Sequence, residues 1–211
     1  MSSIRKPPRN LGTQVKRYTS LSLSRYLTEL SSKKPVPGGG SASAYAACLG
    51  IGLAEMVAQI GMKKVDGPTQ ASLKKTIFLL QKAKKDALQI VDLDPKVYQN
   101  VLKSYAKAKK ISEKDRKEQF IDEALGNSFR LQADLALLVT MAVEAVHSLE
   151  GAVSGSISND LRVSRALLKA AFQGAYDTAE INRIFMKNPQ RKERAAHALE
   201  EVKKRFEASH V

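Results

Sequence analysis

Apolar residues along this chain recur every three or four positions, and no strictly alternating stretch of useful length appears, so the pattern predicts helices and no sheet. Leu21, Leu23, Tyr26, Leu27 and Leu30 line one face of a first short helix that Thr19 or Ser20 can cap. Lys33-Lys34-Pro35-Val36-Pro37-Gly38-Gly39-Gly40 then breaks the helical pattern. Ser41 can cap a second helix running to Met62. That segment holds Ala42, Ser43, Ala44, Ala46, Ala47, Gly50, Gly52 and Ala54, a nearly smooth surface that lets neighbouring backbones approach and predicts burial on several sides.

Gly67-Pro68 marks a turn and Thr69 a cap for a long helix carrying Ile77, Leu80, Ala83, Ala87, Ile90 and Val91. Pro95 is expected to interrupt it, because an interior proline lacks the donor and clashes with the preceding turn. The pattern resumes at Val97, Tyr98, Val101, Leu102 and Tyr105. Ser112 opens a further helix to Leu149, with Phe120, Ala124, Leu131, Leu135, Leu138, Ala142 and Ala145 as its apolar face. Small residues over 151–158 separate it from a helix capped by Ser158, Asn159 or Asp160 and ending at Met186. Asn188-Pro189 stops that helix, and a charged amphipathic one closes the chain with Ala195, Ala198, Leu199, Val202 and Phe206 inward. The expected architecture is an all-α, single-domain antiparallel helical bundle over 19–211, preceded by a basic arm over 1–18.

Composition narrows the picture. The chain has 211 residues, enough for one hydrophobic core. Aromatics make up 6% and tryptophan is absent, which suits a core of Ala, Leu, Ile and Val between packed helices. Cys48 is the single cysteine, so neither an internal disulfide nor a multi-cysteine metal site can form; its small apolar neighbours read as a buried, reduced thiol. His147, His197 and His210 lack ligand spacing, and no metal is assigned. The basic start has no apolar core of a secretory leader, and no uninterrupted apolar run reaches ~20 residues. A cytoplasmic protein without membrane contact is the expectation. The net charge is +14. No nucleic-acid-binding motif accompanies that charge, so solvated helix faces such as 103–117, or capture of a small polyanion, are preferred to nucleic acid as its purpose.

Three segments carry candidate chemistry. Gly38-Gly39-Gly40-Ser41 leaves backbone amides bare at a helix start, where the dipole favours an anion or polar edge. It lacks the Gly-Lys-Ser/Thr ending of a nucleotide phosphate loop, and it reads equally as a plain loop. Asp92 and Asp94 lie in an apolar stretch, with Tyr98 one helical turn beyond Asp94. Asp94 before Pro95 also reads as an ordinary helix cap and first-turn pair. Ser158-Asn159-Asp160 is a cap signal, and Asn182 reads as a surface asparagine.

Together these segments resemble the folate cyclodeaminase/cyclohydrolase family, which includes methenyltetrahydrofolate cyclohydrolases and the C-terminal half of formiminotransferase-cyclodeaminase. The resemblance rests on Pro35-Val36-Pro37-Gly38-Gly39-Gly40-Ser41 and Leu53-Ala54-Glu55-Met56-Val57. It is supported by Asp92-Leu93-Asp94 with Tyr98, and by Asp160-Leu161 through Ile181-Asn182. It spans about residues 20–187, and Thr178 stands where many members carry asparagine.

The resemblance implies a helical fold, a homodimer and a folate substrate, possibly polyglutamylated, with no cofactor. It implies a catalytic carboxylate at Asp94 with Asp92 beside it. Substrate contacts are implied at Gly38, Gly39, Gly40, Ser41, Tyr98, Asp160 and Asn182, with Lys63 and Lys64 drawing in the anionic glutamate tail. The expected reaction is hydrolysis of 5,10-methenyltetrahydrofolate to 10-formyltetrahydrofolate. The alternatives are a formiminotetrahydrofolate cyclodeaminase releasing ammonia, and a basic binding protein that keeps the scaffold without catalysis.

Overall fold

Small residues decide the centre of this molecule. The computed structural model describes residues 17–63, 65–150, 155 and 157–209. Among the described residues a 3-10 turn at Tyr18–Ser20 precedes six helices: α1 Leu23–Leu30, α2 Gly39–Met62, α3 Gly67–Ala108, α4 Lys114–His147, α5 Ser158–Phe185 and α6 Pro189–Ala208. Among the described residues there is no strand. Helices α2, α3, α4 and α5 form the square of an antiparallel bundle, and α6 lies against α4 and α5. Of the arm expected over 1–18, residues 1–16 lie outside the described residues, while Tyr18 is buried against the bundle.

The α2–α5 seam shows what the small residues do. A Cβ on Gly50 would stand 2.9 Å from Leu168 Cγ and 3.0 Å from the Ser164 carbonyl oxygen, and one on Gly174 would overlap Ser43 Oγ. Ser164 Oγ donates to the Gly50 carbonyl at 2.7 Å. Gly39 faces Thr178 at the other end of the seam, which fixes the two helices as antiparallel. By length and composition α2 could cross a membrane; here Ala44, Ala47, Ile51, Ala54, Val57 and Ala58 bury it in the bundle core. Cys48 is buried as expected, and burial pushes its thiol up to about 12.

The expected break at Pro95 does not occur. Helix α3 runs through Pro95 as one element of 42 residues. Proline cannot donate to the carbonyl four residues back, which is that of Val91. Ser41 Oγ donates to that same oxygen at 3.0 Å, so the acceptor Pro95 leaves open is filled from a neighbouring helix. Asp94 therefore sits inside a helix and caps nothing in α3.

The helix starts also shift. The residues before α2, α3, α4 and α5 are Gly38, Asp66, Glu113 and Ile157, and none makes a side-chain cap hydrogen bond. Ser41, Thr69, Ser112 and Asp160 are thus not caps. Among the described residues only Ser22, accepting from Arg25 N, and Asn188, accepting from Arg191 N, cap an α-helix locally. The predicted face of α4 is buried at Ala124, Leu135 and Ala142, and the buried stripe also takes in Ile121, Leu125, Ser128, Phe129, Gln132, Ala136 and Val139. Phe120, Leu131 and Leu138 are only half-buried, and four buried polar residues, Asp122, Ser128, Gln132 and Thr140, occupy positions that an apolar count skips.

Candidate active site

The site forms where the first turn of α2 meets the middle of α3 and α4. Gly38 precedes α2 without a side chain to offer, so the third amide of the helix, Ser41 N–H, needs an acceptor from elsewhere. Asp94 Oδ2 supplies it at 3.0 Å. A side-chain oxygen accepting from the third amide is the work of an N-cap, here done by a carboxylate from another helix. Asp94 Oδ1 accepts from Gln132 Nε2 of α4 at 2.7 Å. Ser41 Oγ, besides its bond to Val91 O, pairs with the Tyr26 hydroxyl of α1 at 3.1 Å.

Space at this junction is fully used. A Cβ on Gly40 would overlap Gln132 Nε2 and Asp94 Oδ1 and lie 2.8 Å from Asp94 Cγ, so glycine is required there by packing. Gly39 remains exposed at the helix start, 3.7 Å from Thr178 Oγ1 by the same construction. A dipole end and bare amides thus border a buried carboxylate.

Asp94 is 7% exposed. Burial pushes its carboxyl above the ordinary carboxylate value, and the Ser41 and Gln132 N–H groups hold back only part of that rise. A carboxylate held by two donors, with its affinity for protons raised, is better suited than a free one to accept a proton and return it.

The other predicted residues divide between this junction and the rest of the bundle. Tyr98 lies one turn beyond Asp94 on α3 and is 39% exposed. Asn182 is buried rather than superficial, and its Nδ2 donates to the Thr178 carbonyl at 2.7 Å, one turn along α5 from the residue facing Gly39. Asp92 points elsewhere, as residues two apart on a helix must. Its Oδ1 accepts from the Tyr18 and Thr19 amides at 2.5 and 3.1 Å, and its Oδ2 from Thr19 Oγ1 at 2.6 Å. It anchors the 3-10 turn and shares no partner with Asp94.

Asp160 stands at the opposite end of α5, roughly 27 Å along the helix from Thr178 at 1.5 Å per residue. Lys63 follows the last turn of α2, about 35 Å from Gly40 on the same scale. Within one chain neither reaches Asp94. Lys64 lies outside the described residues.

Gln132 and Tyr26 complete the junction and are absent from the predicted set. Gln132 had a readable signal: counted at three- and four-residue steps from Leu125 and Phe129, it is a polar residue in a buried stripe. Tyr26 had none beyond its place on an apolar face. A cavity of about 620 Å³ opens elsewhere, between α4 and α6, lined by Phe129, Arg130, Met186 and Arg194, and contains none of the predicted residues. Among the described residues no cluster of three His, Cys, Asp or Glu side chains could hold a metal ion.

A computed fold match of 0.80 in TM-score links the chain to the crystal structure of formiminotetrahydrofolate cyclodeaminase from Thermotoga maritima, at 20% identity, covering 90% of this chain and 92% of that one. The formimidoyltransferase-cyclodeaminases of Mus musculus and Rattus norvegicus are each 28% identical over 181 residues, which is 84% of this chain and 33% of theirs. That of Gallus gallus is 24% identical over 173 residues, 81% of this chain and 32% of its own. The chain therefore spans about a third of the length of these curated relatives. The sequence model of one family covers residues 22–201, from the cap of α1 into the last turns of α6 and across every residue of the Asp94 junction, and on that match the chain belongs to the formiminotransferase-cyclodeaminase family.

Proposed function

We propose that this chain is an enzyme that makes or opens the one-carbon bridge between the two ring-side nitrogens of tetrahydrofolate. The observation that carries the reading is Asp94: buried, held by two donors, and raised in proton affinity beside the open start of α2. Both family reactions need such a group. In deamination, the free folate nitrogen attacks the carbon of the protonated formimino group and loses its proton to the carboxylate. The carboxylate returns that proton to the departing amine, and ammonia leaves as the methenyl cation forms. In hydrolysis, water attacks the methenyl carbon and gives a proton to the same carboxylate; the carboxylate returns it to the departing ring nitrogen, and the hydroxyl proton is released as the ring opens to the formyl compound. The negative charge of Asp94 also favours the delocalised cation common to both. Proton transfer by one carboxylate suffices for either course, so the reading invokes no cofactor.

The names of the relatives favour deamination as the first reading; hydrolysis shares every element of the site and is the second. One assay separates them. The protein is mixed with formiminotetrahydrofolate and, separately, with methenyltetrahydrofolate while bridge absorbance is followed. A gain from the formimino compound supports deamination, and a loss from the methenyl compound above the spontaneous rate supports hydrolysis. No change in either, with no folate binding, refutes the enzyme reading.

The reading includes a homodimer. Helix α2 is mostly apolar, yet its outer face leaves Leu49, Met56 and Ile60 at 54%, 39% and 37% exposure. Exposed large apolar side chains on one face call for cover, and a second copy offering the same face provides it. Sedimentation should show a dimer that Leu49→Lys converts to monomer; a monomeric parent protein would refute this part.

A further inference from the structure

Gln132 is fully buried, and its two polar ends are treated differently. Nε2 donates to Asp94 Oδ1, while Oε1 has no hydrogen-bond partner among the described residues. A buried carbonyl oxygen without a donor costs stability, and an apolar side chain of similar size would avoid the cost. The two oxygens of Asp94 are also unequal. Oδ2 faces the Ser41 backbone N–H, a donor that the helix fixes in place. Oδ1 faces a carboxamide, which becomes an acceptor by a half-turn about its last bond. A proton placed on Oδ2 would meet a donor that cannot reverse, whereas one placed on Oδ1 can be accepted by Gln132 Oε1 after that half-turn.

We infer that Gln132 is a positioning residue whose carboxamide turns over when Asp94 takes up a proton on Oδ1. With Asp94 ionised, the end of Gln132 turned away from it is an acceptor, suited to orient an N–H or O–H about to lose its proton. With Asp94 protonated, that end is a donor, suited to an oxygen or nitrogen that has gained electron density. The catalytic group and its neighbour thus change character together, and the unpartnered Oε1 is explained as the acceptor held ready. Gly40 belongs to the same device, since any Cβ there would overlap both Nε2 and Oδ1. The surrounding groups do not compete for the proton: Ser41 from α2, Gln132 from α4 and Thr178 from α5 are neutral, and Tyr26 from α1 keeps its hydroxyl proton, burial foremost raising it. The inference rests on the folate reading only for the identity of the proton's source.

The decisive experiment needs no substrate. In the full-length protein, the ¹³C shift of the Asp94 carboxyl and the ¹⁵N shift of the Gln132 side-chain amide are followed against pH by NMR, assigned with Asp94→Asn and Gln132→Met. The two should titrate with one midpoint, and Gln132→Met should raise the Asp94 midpoint by about one unit, because a donor to the charged form is lost. In Asp94→Asn the Gln132 amide should hold its low-pH position throughout. A Gln132 amide that stays flat across the Asp94 titration overturns the inference, as does an unchanged Asp94 midpoint in Gln132→Met. The wild-type titration decides the matter even if a variant does not fold, and it stands apart from whether folate is turned over. Where turnover is measured, Gln132→Met should lower kcat at least about tenfold with KM within about twofold; an unchanged kcat removes Gln132 from the reaction.

Discussion

Replacing Gly40 with alanine adds one methyl group at the most crowded point of the molecule, and its effect can be worked out from the neighbours. In open helix the change would stabilise the protein by about 1 kcal/mol, since alanine is the better helix former. Here the methyl would overlap Gln132 Nε2 and Asp94 Oδ1, and neither is the free end of a surface side chain. Overpacking a filled interior costs ~1–3 kcal/mol. Displacing Asp94 weakens hydrogen bonds to a charged group, each worth about 1.5–3 kcal/mol. The balance is a loss of about 3 kcal/mol, a fall in Tm of ~6–12 °C for a chain of this size. Gly126→Ala is the control: it sits inside α4, where a Cβ meets nothing within 4 Å, and should gain a few tenths to about 1 kcal/mol. Urea or thermal unfolding of both variants, followed by circular dichroism, gives the comparison. If Gly40→Ala proved as stable as Gly126→Ala, the packed junction of α2, α3 and α4 described above would be wrong.

Other expectations follow from the same contacts. Asp94→Asn should lower kcat by about 10²-fold or more, the usual weight of a proton-transferring group, while leaving thermal stability near that of the parent; full activity in a coupled absorbance assay would remove Asp94 from the mechanism. Because burial raises the folded-state affinity of Asp94 for a proton, its contribution to stability is fully present below the ordinary value of 3.8 and is lost as pH rises through the raised one. The stability of the parent relative to Asp94→Asn should therefore decline as pH climbs through that window, which paired unfolding curves would show. Glu55 behaves oppositely: burial acts to raise it, but hydrogen bonds from Lys84, Gln81 and Gln59 prevail and lower it. The advantage of the parent over Glu55→Gln should persist above 4.5 and vanish as pH falls through the depressed value. Ser41→Ala strips the Val91 carbonyl of its donor and should cost about 1–3 kcal/mol; Pro95→Ala added to it should recover part of that loss by restoring a backbone N–H, and a strictly additive double-mutant cycle would refute the coupling.

Much of the fold was legible because it depends on residue size and spacing. The small residues from Ala42 to Ala54 announced a central helix, and Asn188-Pro189 marked a real helix boundary, whereas Gly67-Pro68, read as a turn, forms the first two residues of α3. What escaped depends on partners distant in sequence. Pro95 looks like a break until Ser41 Oγ is seen on the Val91 carbonyl, a bond across fifty positions. Asp92 and Asp94 look like a pair, yet helical geometry sends one to the Tyr18 turn and the other to α2. Lys63 and Asp160 belong to segments that flank the same bundle as Asp94, but chain proximity says nothing about which end of a helix faces which. Gln132 was hidden by counting only apolar residues along α4, although a polar side chain in a buried register is itself a sign of special chemistry.

The carboxylate that caps α2 has a consequence for how this chain folds. The first turn of α2 has no local stop signal of its own, and its acceptor arrives on a residue 53 positions later. A fragment ending before α3 would carry a frayed glycine end, and the turn can close only once α3 has docked and presented Asp94. Closing a loop of that length is a slow, non-local event compared with winding a helix. The start of α2 should therefore order only once α3 has docked, which amide hydrogen exchange at Gly39–Ser41 in a fragment ending before α3 would test.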